Sequence, residues 1–156
     1  MKRNIIFDID GVIVDNSSHG DYVINNVFDN EAFSKAIPFM NPNDWAVSML
    51  KSLKEDFHII LVTAREKQHK NITLAWLKKN NVFYDDIIFI NSYVNDEYVV
   101  KYKIITANRF NPLFIVEDNK QNVIGLRKAG YTVLQPNFID YSIGGKTNER
   151  NCKRTN

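Results

Sequence analysis

Two aspartates stand two residues apart where an apolar run near the start of the chain ends. Residues 5–7 are apolar, Asp8 and Asp10 come next, and Gly11 follows them. In an open α/β sheet, ligands bind beyond the carboxyl ends of the strands, so acids at such an end are placed for chemistry. Two like charges this close repel each other, and a hard divalent cation with oxygen ligands relieves that repulsion. The pair therefore predicts a magnesium site, with a turn that only closes the strand as the alternative.

Residue types that bind phosphate also stand where a later apolar run ends. The apolar run at residues 59–62 leads into Thr63 and Arg65, a hydroxyl and a guanidinium that both donate hydrogen bonds to phosphate oxygens. Gly11 would let the backbone bend and bring N–H groups near an anion. We therefore expect Thr63, Arg65 and Gly11 to bind the substrate.

More acids and a lysine complete the set. The run at residues 113–116 leads into Glu117 and Asp118, and Lys101 opens a helical segment before it. Lys101 would neutralise a phosphoryl group during transfer, and Lys103 competes with it for that role. Loops at the edge of a sheet have no structural need for acids, so three strand ends with such residues favour a phosphoryl-transfer site.

The elements that would position these residues alternate along the chain. Five short runs are continuously apolar or β-branched, as in strands buried on both faces of a parallel sheet, at residues 5–7, 59–62, 87–90, 113–116 and 131–134. Helical spacing predicts three helices between the later runs, around residues 72–79, 100–107 and 123–129, with Gly130 as the last C-terminal cap. An earlier helix is expected to begin with Asn41 as N-cap and Pro42 at its first position. This alternation predicts an α/β fold with a doubly wound, mostly parallel five-stranded sheet and helices on both faces.

Composition narrows the class of protein. The chain has 156 residues, enough for one domain, which we expect at residues 1–143, with a small insertion at 15–40 and a disordered polar tail at 144–156. The net charge of +2 is too small to indicate nucleic-acid binding by itself. No apolar run has the roughly 20 residues that a membrane span needs. The single cysteine, Cys152, fits a reducing compartment, so we expect a cytoplasmic protein, in the host cytoplasm if it is viral.

Taken together, the motifs resemble those of the haloacid dehalogenase (HAD) superfamily of phosphohydrolases. The resemblance covers about residues 4–136 and implies a Rossmann-like sheet of the HAD type, with at most a small cap. It implies that Asp8 is a nucleophile that forms an aspartyl-phosphate and that Asp10 is the general acid and base. Thr63 and Lys101 would bind the phosphoryl oxygens.

The resemblance also implies a metal site. Mg²⁺ would be held by Asp8, by the backbone carbonyl of Asp10 and by Asp118. Glu117 is the alternative ligand to Asp118, since the superfamily uses both single and double acids at this motif.

Within the superfamily, the chain is most similar to the 3′-phosphatase domains of bacteriophage-type polynucleotide kinases. The similarity lies in Asn41 and Pro42, in Arg65, and in the run at residues 98–101. It implies removal of a 3′-phosphate from a polynucleotide end. A 5′(3′)-nucleotidase that acts on free (deoxy)nucleoside monophosphates is the alternative enzyme, and a non-catalytic binding module that kept the fold is a third hypothesis.

Overall fold

A computed structural model describes residues 2–15, 22–24, 27–91 and 96–136 of the protein. Within them the strands are β1 (Arg3–Phe7), β2 (Val23–Ile24), β3 (Val27–Phe28), β4 (Phe57–Thr63), β5 (Asp86–Phe89), β6 (Ile115–Val116) and β7 (Val133–Leu134). The helices are α1 (Asn30–Ala36), α2 (Asp44–Leu53), α3 (Lys70–Lys79), α4 (Asp96–Phe110) and α5 (Lys120–Lys128). Single 3₁₀ turns follow α1 and precede α3.

The central sheet has five parallel strands in the order β5-β4-β1-β6-β7. The predicted doubly wound α/β fold is therefore confirmed, with strand bounds that differ from the apolar runs by one or two residues. Phe7 pairs with Leu61 on one side and with Val116 on the other. The residues that follow these three therefore meet at one edge of the sheet, beside the point where the chain order reverses.

The core fills both faces of the sheet because successive strand side chains point to opposite faces. Ile5 and Phe7 pack with Leu50 of α2 and Leu77 of α3. Neighbouring strand residues such as Ile6 and Ile60 point the other way and pack against α4 and α5. These helices cover the two faces and hold the strand ends rigidly in place.

The insertion contains short elements that the sequence did not reveal. β2 and β3 pair with each other in antiparallel orientation, and α1 follows with Asp29 as its N-cap. Tyr22 and Phe28 each pack edge-on against the buried Phe33, with ring centroids 5.4 and 5.1 Å apart. Phe33 thus forms the centre of this aromatic group, whereas the Phe39 side chain is 83% exposed.

The prediction that Asn41 caps α2 is wrong by two residues. Asn43 is the N-cap, and its side chain donates to the carbonyl of Val12 at 2.9 Å instead of capping the helix. Pro42 precedes the helix and forms an isolated bridge with Val14. The start of α2 is therefore tied to the loop that carries the two aspartates. Gly130 follows α5 with φ +94°, as predicted.

No helix among the described residues is long and apolar enough to cross a membrane. The predicted tail at 144–156 lies outside the described residues.

Candidate active site

Asp8 lies where β1 ends and is almost completely buried. Its N–H donates to the carbonyl of Val116 at 2.9 Å, which continues the pairing of β1 with β6 for one more residue. Lys103 donates from Nζ to Asp8 Oδ1 at 2.6 Å. A buried carboxylate needs a charged or hydrogen-bonding partner, and Lys103 supplies it.

The structure places the two lysines of α4 in different surroundings. Lys103 lies on the buried face of α4, with Val99, Thr106 and Ala107. Lys101 is exposed and lines a groove between α4 and α5. Two residues correspond to about 200° of rotation around a helix, so both lysines cannot point into the site. Lys103, and not Lys101, stands beside Asp8.

Glu117 follows β6 and joins the same ion-pair network. Its Oε2 accepts from Lys103, and its Oε1 accepts from the N–H of Asn119 and from the Asn122 side chain, both at 3.1 Å. Burial alone would lower the pKa of Lys103, but the charges of Asp8 and Glu117 outweigh it and raise that pKa. Lys103 is therefore a fixed positive charge at this edge.

Three carboxylates converge here. Oxygen atoms of Asp8, Glu117 and Asp118 lie within 4.8 Å of one another. Burial and the charge of Glu117 raise the pKa of Asp8 well above its usual value, and the same causes raise the pKa of Asp118 to about 7. An all-oxygen set that repels itself is the donor set that magnesium prefers, so these residues fit the predicted metal.

Gly11, which was predicted to bind the substrate, lies directly beside Asp118. Its N–H donates to the carbonyl of Val14 at 3.0 Å and is therefore not aimed at an anion. It has φ +83°, and a Cβ placed on it would lie 1.8 Å from Oδ2 of Asp118. The missing side chain makes room for the Asp118 carboxylate.

Arg65, which was predicted to bind substrate, lies against Asp10 in the structure. Its side chain is fully buried and donates to Asp10, from Nη2 to Oδ1 at 2.7 Å and from Nε to Oδ2 at 3.0 Å. Nη1 donates to Oγ1 of Thr73 at 3.0 Å. The guanidinium thus holds Asp10 through both of its carboxylate oxygens.

Thr63 is buried at the end of β4, at the edge where it was predicted. Its Oγ1 accepts from the N–H of Arg65 at 3.1 Å. Because a hydroxyl both accepts and donates, the bond to Arg65 leaves the Thr63 proton for another acceptor.

The structure groups carboxylate oxygens of Asp8, Glu117 and Asp118 within 4.8 Å of one another, and Asp10 and Thr63 follow or end strands at the same edge of the sheet. Sequence reasoning ranked Lys103 second, although Val99, Lys103 and Thr106 have the four- and three-residue spacing of one helix face. That spacing could have identified Lys103 from the sequence. Thr73 and Phe33, which contact Arg65, carried no motif and were not predicted to belong to the site.

Comparison with known proteins agrees with this architecture. A nucleotidase from Clostridium acetobutylicum is 31% identical over 87 residues, which are 56% of this chain and 41% of that protein. A chain of the Pnkp1/Rnl/Hen1 RNA repair complex superposes with a TM-score of 0.72 at 20% identity, over 90% of this chain and 44% of that one. The chain therefore spans less than half the length of these two relatives.

A HAD-family enzyme from Bacteroides thetaiotaomicron, solved with magnesium and inorganic phosphate, has a TM-score of 0.56 at 12% identity, over 91% of this chain and 98% of that one. At this identity the likeness shows the fold alone. The family model of the polynucleotide kinase PNKP phosphatase domain, of the HAD type, matches residues 2–141. The resemblance drawn from the motifs is thus confirmed, and the chain belongs to the family of PNKP phosphatase domains.

Proposed function

We propose that this protein is a magnesium-dependent phosphomonoesterase that works through an aspartyl-phosphate on Asp8. The observation that carries the proposal is the buried Asp8 carboxylate, paired with Lys103 and grouped with Glu117 and Asp118. A nucleophilic carboxylate must be held in a fixed direction and must be ionised, and Lys103 favours both. Family membership supports the same reaction.

The proposed reaction has two steps. An oxygen of Asp8 attacks phosphorus, the bond from phosphorus to the ester oxygen breaks, and Asp10 gives its proton to that oxygen. Asp10 then takes a proton from water, whose oxygen attacks the phosphorus, so that phosphate leaves and Asp8 is regenerated. Thr63 and Lys103 would bind the phosphoryl oxygens during both steps.

Mg²⁺ would be held by Asp8, by the backbone carbonyl of Asp10 and by Asp118. When bound, it neutralises the acids and the phosphoryl charge. We assign Glu117 to a different task, because Lys103, Asn119 and Asn122 already donate to it. It positions Lys103.

For the substrate, we propose a 3′-phosphate at a polynucleotide end. The family model of the PNKP phosphatase domain supports this choice, and so does the similarity in fold to a chain of an RNA repair complex. A nucleotidase that acts on free nucleoside monophosphates is the second candidate, which the Clostridium acetobutylicum relative favours. The predicted cytoplasmic location is part of this proposal.

The test is an Asp8→Asn variant, assayed for magnesium-dependent phosphate release from p-nitrophenyl phosphate. Because the amide has the shape of the carboxylate without its charge, the variant is expected to fold and to lose at least about 10³-fold in activity. Asp56→Asn, at an exposed aspartate in the turn before β4, is the matched control and should keep full activity. Turnover by Asp8→Asn at the wild-type rate would refute the nucleophile. A wild-type protein that binds Mg²⁺ but hydrolyses no ester would support the binding-module hypothesis.

A further inference from the structure

Arg65 is enclosed by side chains from three separate parts of the fold. Thr73 of α3 accepts from its Nη1, the ring of Phe33 of α1 lies 5.3 Å from its Cζ, and Sδ of Met40 is 3.8 Å from its Nη2. Asp10 lies against it from the loop after β1. We call Phe33, Met40 and Thr73 the Arg65 box.

The Arg65 box limits how the guanidinium can turn. A guanidinium is planar and donates in fixed directions, so a partner on Nη1 fixes the direction in which Nε and Nη2 point. The Phe33 ring covers one side of that plane and attracts the charge. Asp10 is held by two donors of the same plane, so its carboxylate takes its orientation from Arg65.

His69 supports this arrangement without adding charge. It packs edge-on against Phe33, with ring centroids 5.4 Å apart. Burial and the nearby charge of Arg65 lower the pKa of His69, which keeps the ring neutral near pH 7. Arg65 therefore remains the cation that faces Asp10 on this side.

We propose that Phe33 and Thr73 are positioning residues for proton transfer, which act on Asp10 through Arg65. The insertion and α3 would then set the geometry of the general acid, in addition to any contact they make with substrate. This rests on the proposed function, because Asp10 must be the proton donor of the first step. Valine at position 73 would remove the hydroxyl that accepts from Nη1 of Arg65, and the guanidinium would lose the bond that sets its direction. Leucine at position 33 would remove the ring that covers it.

The leaving group supplies a readout that a merely structural role would not change. An alkoxide, such as the sugar oxygen of a 3′-phosphate, is a poor leaving group and needs the proton of Asp10 as the bond to phosphorus breaks. A p-nitrophenolate leaves without a proton. Misplacing Asp10 should therefore slow the first step for the alkyl ester much more than for the aryl ester.

The experiment compares Thr73→Val, Thr73→Ser and Phe33→Leu with wild type. Single turnovers with enzyme in excess measure release of thymidine from its 3′-phosphate and of p-nitrophenolate from its phosphate ester. Thr73→Val and Phe33→Leu should lose about tenfold with the alkyl ester and less than about threefold with the aryl ester. The enzyme concentration that gives half the maximal single-turnover rate should stay within about twofold. Thr73→Ser keeps the hydroxyl and should restore the wild-type ratio.

Two control variants are matched in chemistry and lie outside the Arg65 box. Thr106→Val removes another buried threonine hydroxyl, on α4, and Phe28→Leu removes a ring that packs on Phe33. Both should leave the ratio of the two rates unchanged. Urea unfolding of every variant measures its stability separately from its rate.

The outcomes separate the two proposals. A wild-type protein that releases neither product refutes the proposed function, and the role of the Arg65 box with it. An active wild type whose Thr73→Val variant loses equally with both esters, or loses nothing while folded, overturns the positioning role alone. The positioning role is likewise overturned if Thr106→Val changes the ratio as much as Thr73→Val does.

Discussion

At the scale of single residues, the negative charges of the site outnumber the positive charge that lies among them. Lys103 lies between Asp8 and Glu117, and Asp118 adds a third carboxylate within 4.8 Å of both acids. Three carboxylates and one ammonium leave an excess of negative charge. Burial first, and then the charge of Glu117, raise the pKa values of Asp8 and Asp118. A divalent cation would remove that excess. The ionised acids are therefore less stable without a metal than with one. This favours a metal-binding site over an ion-pair network that only stabilises the fold.

Gly11 gives a residue-scale prediction about the metal. In Gly11→Ala the new Cβ would lie within 2.3 Å of Cγ and Oδ2 of Asp118, so the carboxylate must move. We expect the affinity for Mg²⁺ to fall about tenfold or more, since displaced ligands and their supports typically cost that much. Calorimetric titration with Mg²⁺ measures the change.

Gly130→Ala is the matched control for that variant. Gly130 also has positive φ, at +94°, but nothing lies within 4 Å of a Cβ placed there. Both substitutions should lower the free energy of unfolding by about 1–2 kcal/mol, the cost of a left-handed backbone for alanine. Only Gly11→Ala should weaken Mg²⁺ binding. Equal Mg²⁺ affinity in the two variants would show that Asp118 does not hold the metal.

At the scale of elements, the rotation of α4 decides which lysine lies beside Asp8. Its buried face carries Val99, Lys103 and Thr106, and this face is turned toward the sheet and the end of β1. The side chain of Lys103 can therefore reach Asp8 and Glu117 from a helix that otherwise contributes core residues. Lys101 has no such path, because it lies on the solvent side of the same helix.

Removing each lysine in turn tests this assignment. Lys103→Met is expected to lose at least about 100-fold in kcat, because it removes the charge next to the transferred group. Lys101→Met, the matched control two residues away, should change kcat by less than about twofold. Both are measured with p-nitrophenyl phosphate at saturating Mg²⁺.

Because the charge of Lys103 is buried, Lys103→Met should also lower the free energy of unfolding. Leaving Asp8 and Glu117 without their cation costs about 3–5 kcal/mol and could unfold the protein. Lys103→Met combined with Glu117→Gln removes one of the two acids and should recover stability in urea unfolding without recovering kcat. Full activity in the folded double variant would contradict the role of Lys103.

The sequence predicted the sheet and its acids because both depend on local pattern. Apolar runs followed by polar residues mark where strands end, and parallel strands bring those ends to one edge. The choice of Lys103 over Lys101 depends on the rotation of α4 against the sheet, which tertiary packing determines. The pairing of Arg65 with Asp10 joins residues 55 positions apart and could not be read from spacing. The short strands and helix of the insertion had no period to detect.

At the scale of the whole molecule, the order of the strands is what brings the separate motifs to one site. β1 lies between β4 and β6, so the loops after these three strands form a single site although their sequences are far apart. Helices α2 and α3 pack on one face and α4 and α5 on the other. Lys103 reaches Asp8 from α4, whereas Arg65 reaches Asp10 from the loop after β4, where Thr73 of α3 accepts from it.

The substrate is a property of the whole molecule, and a panel of phosphate esters tests it. We expect kcat/KM for DNA and RNA oligonucleotides with a 3′-phosphate to exceed that for free nucleoside 3′- and 5′-monophosphates by about tenfold or more, because binding energy from the rest of the strand lowers the barrier at the reacting phosphate. Oligonucleotides with a 5′-phosphate are the matched control, and they should react poorly. Faster turnover of the free monophosphates would reverse the assignment in favour of a nucleotidase. Equal rates for 3′- and 5′-phosphorylated strands would leave a phosphatase that does not recognise the sugar position, and would refute the choice of a 3′ end.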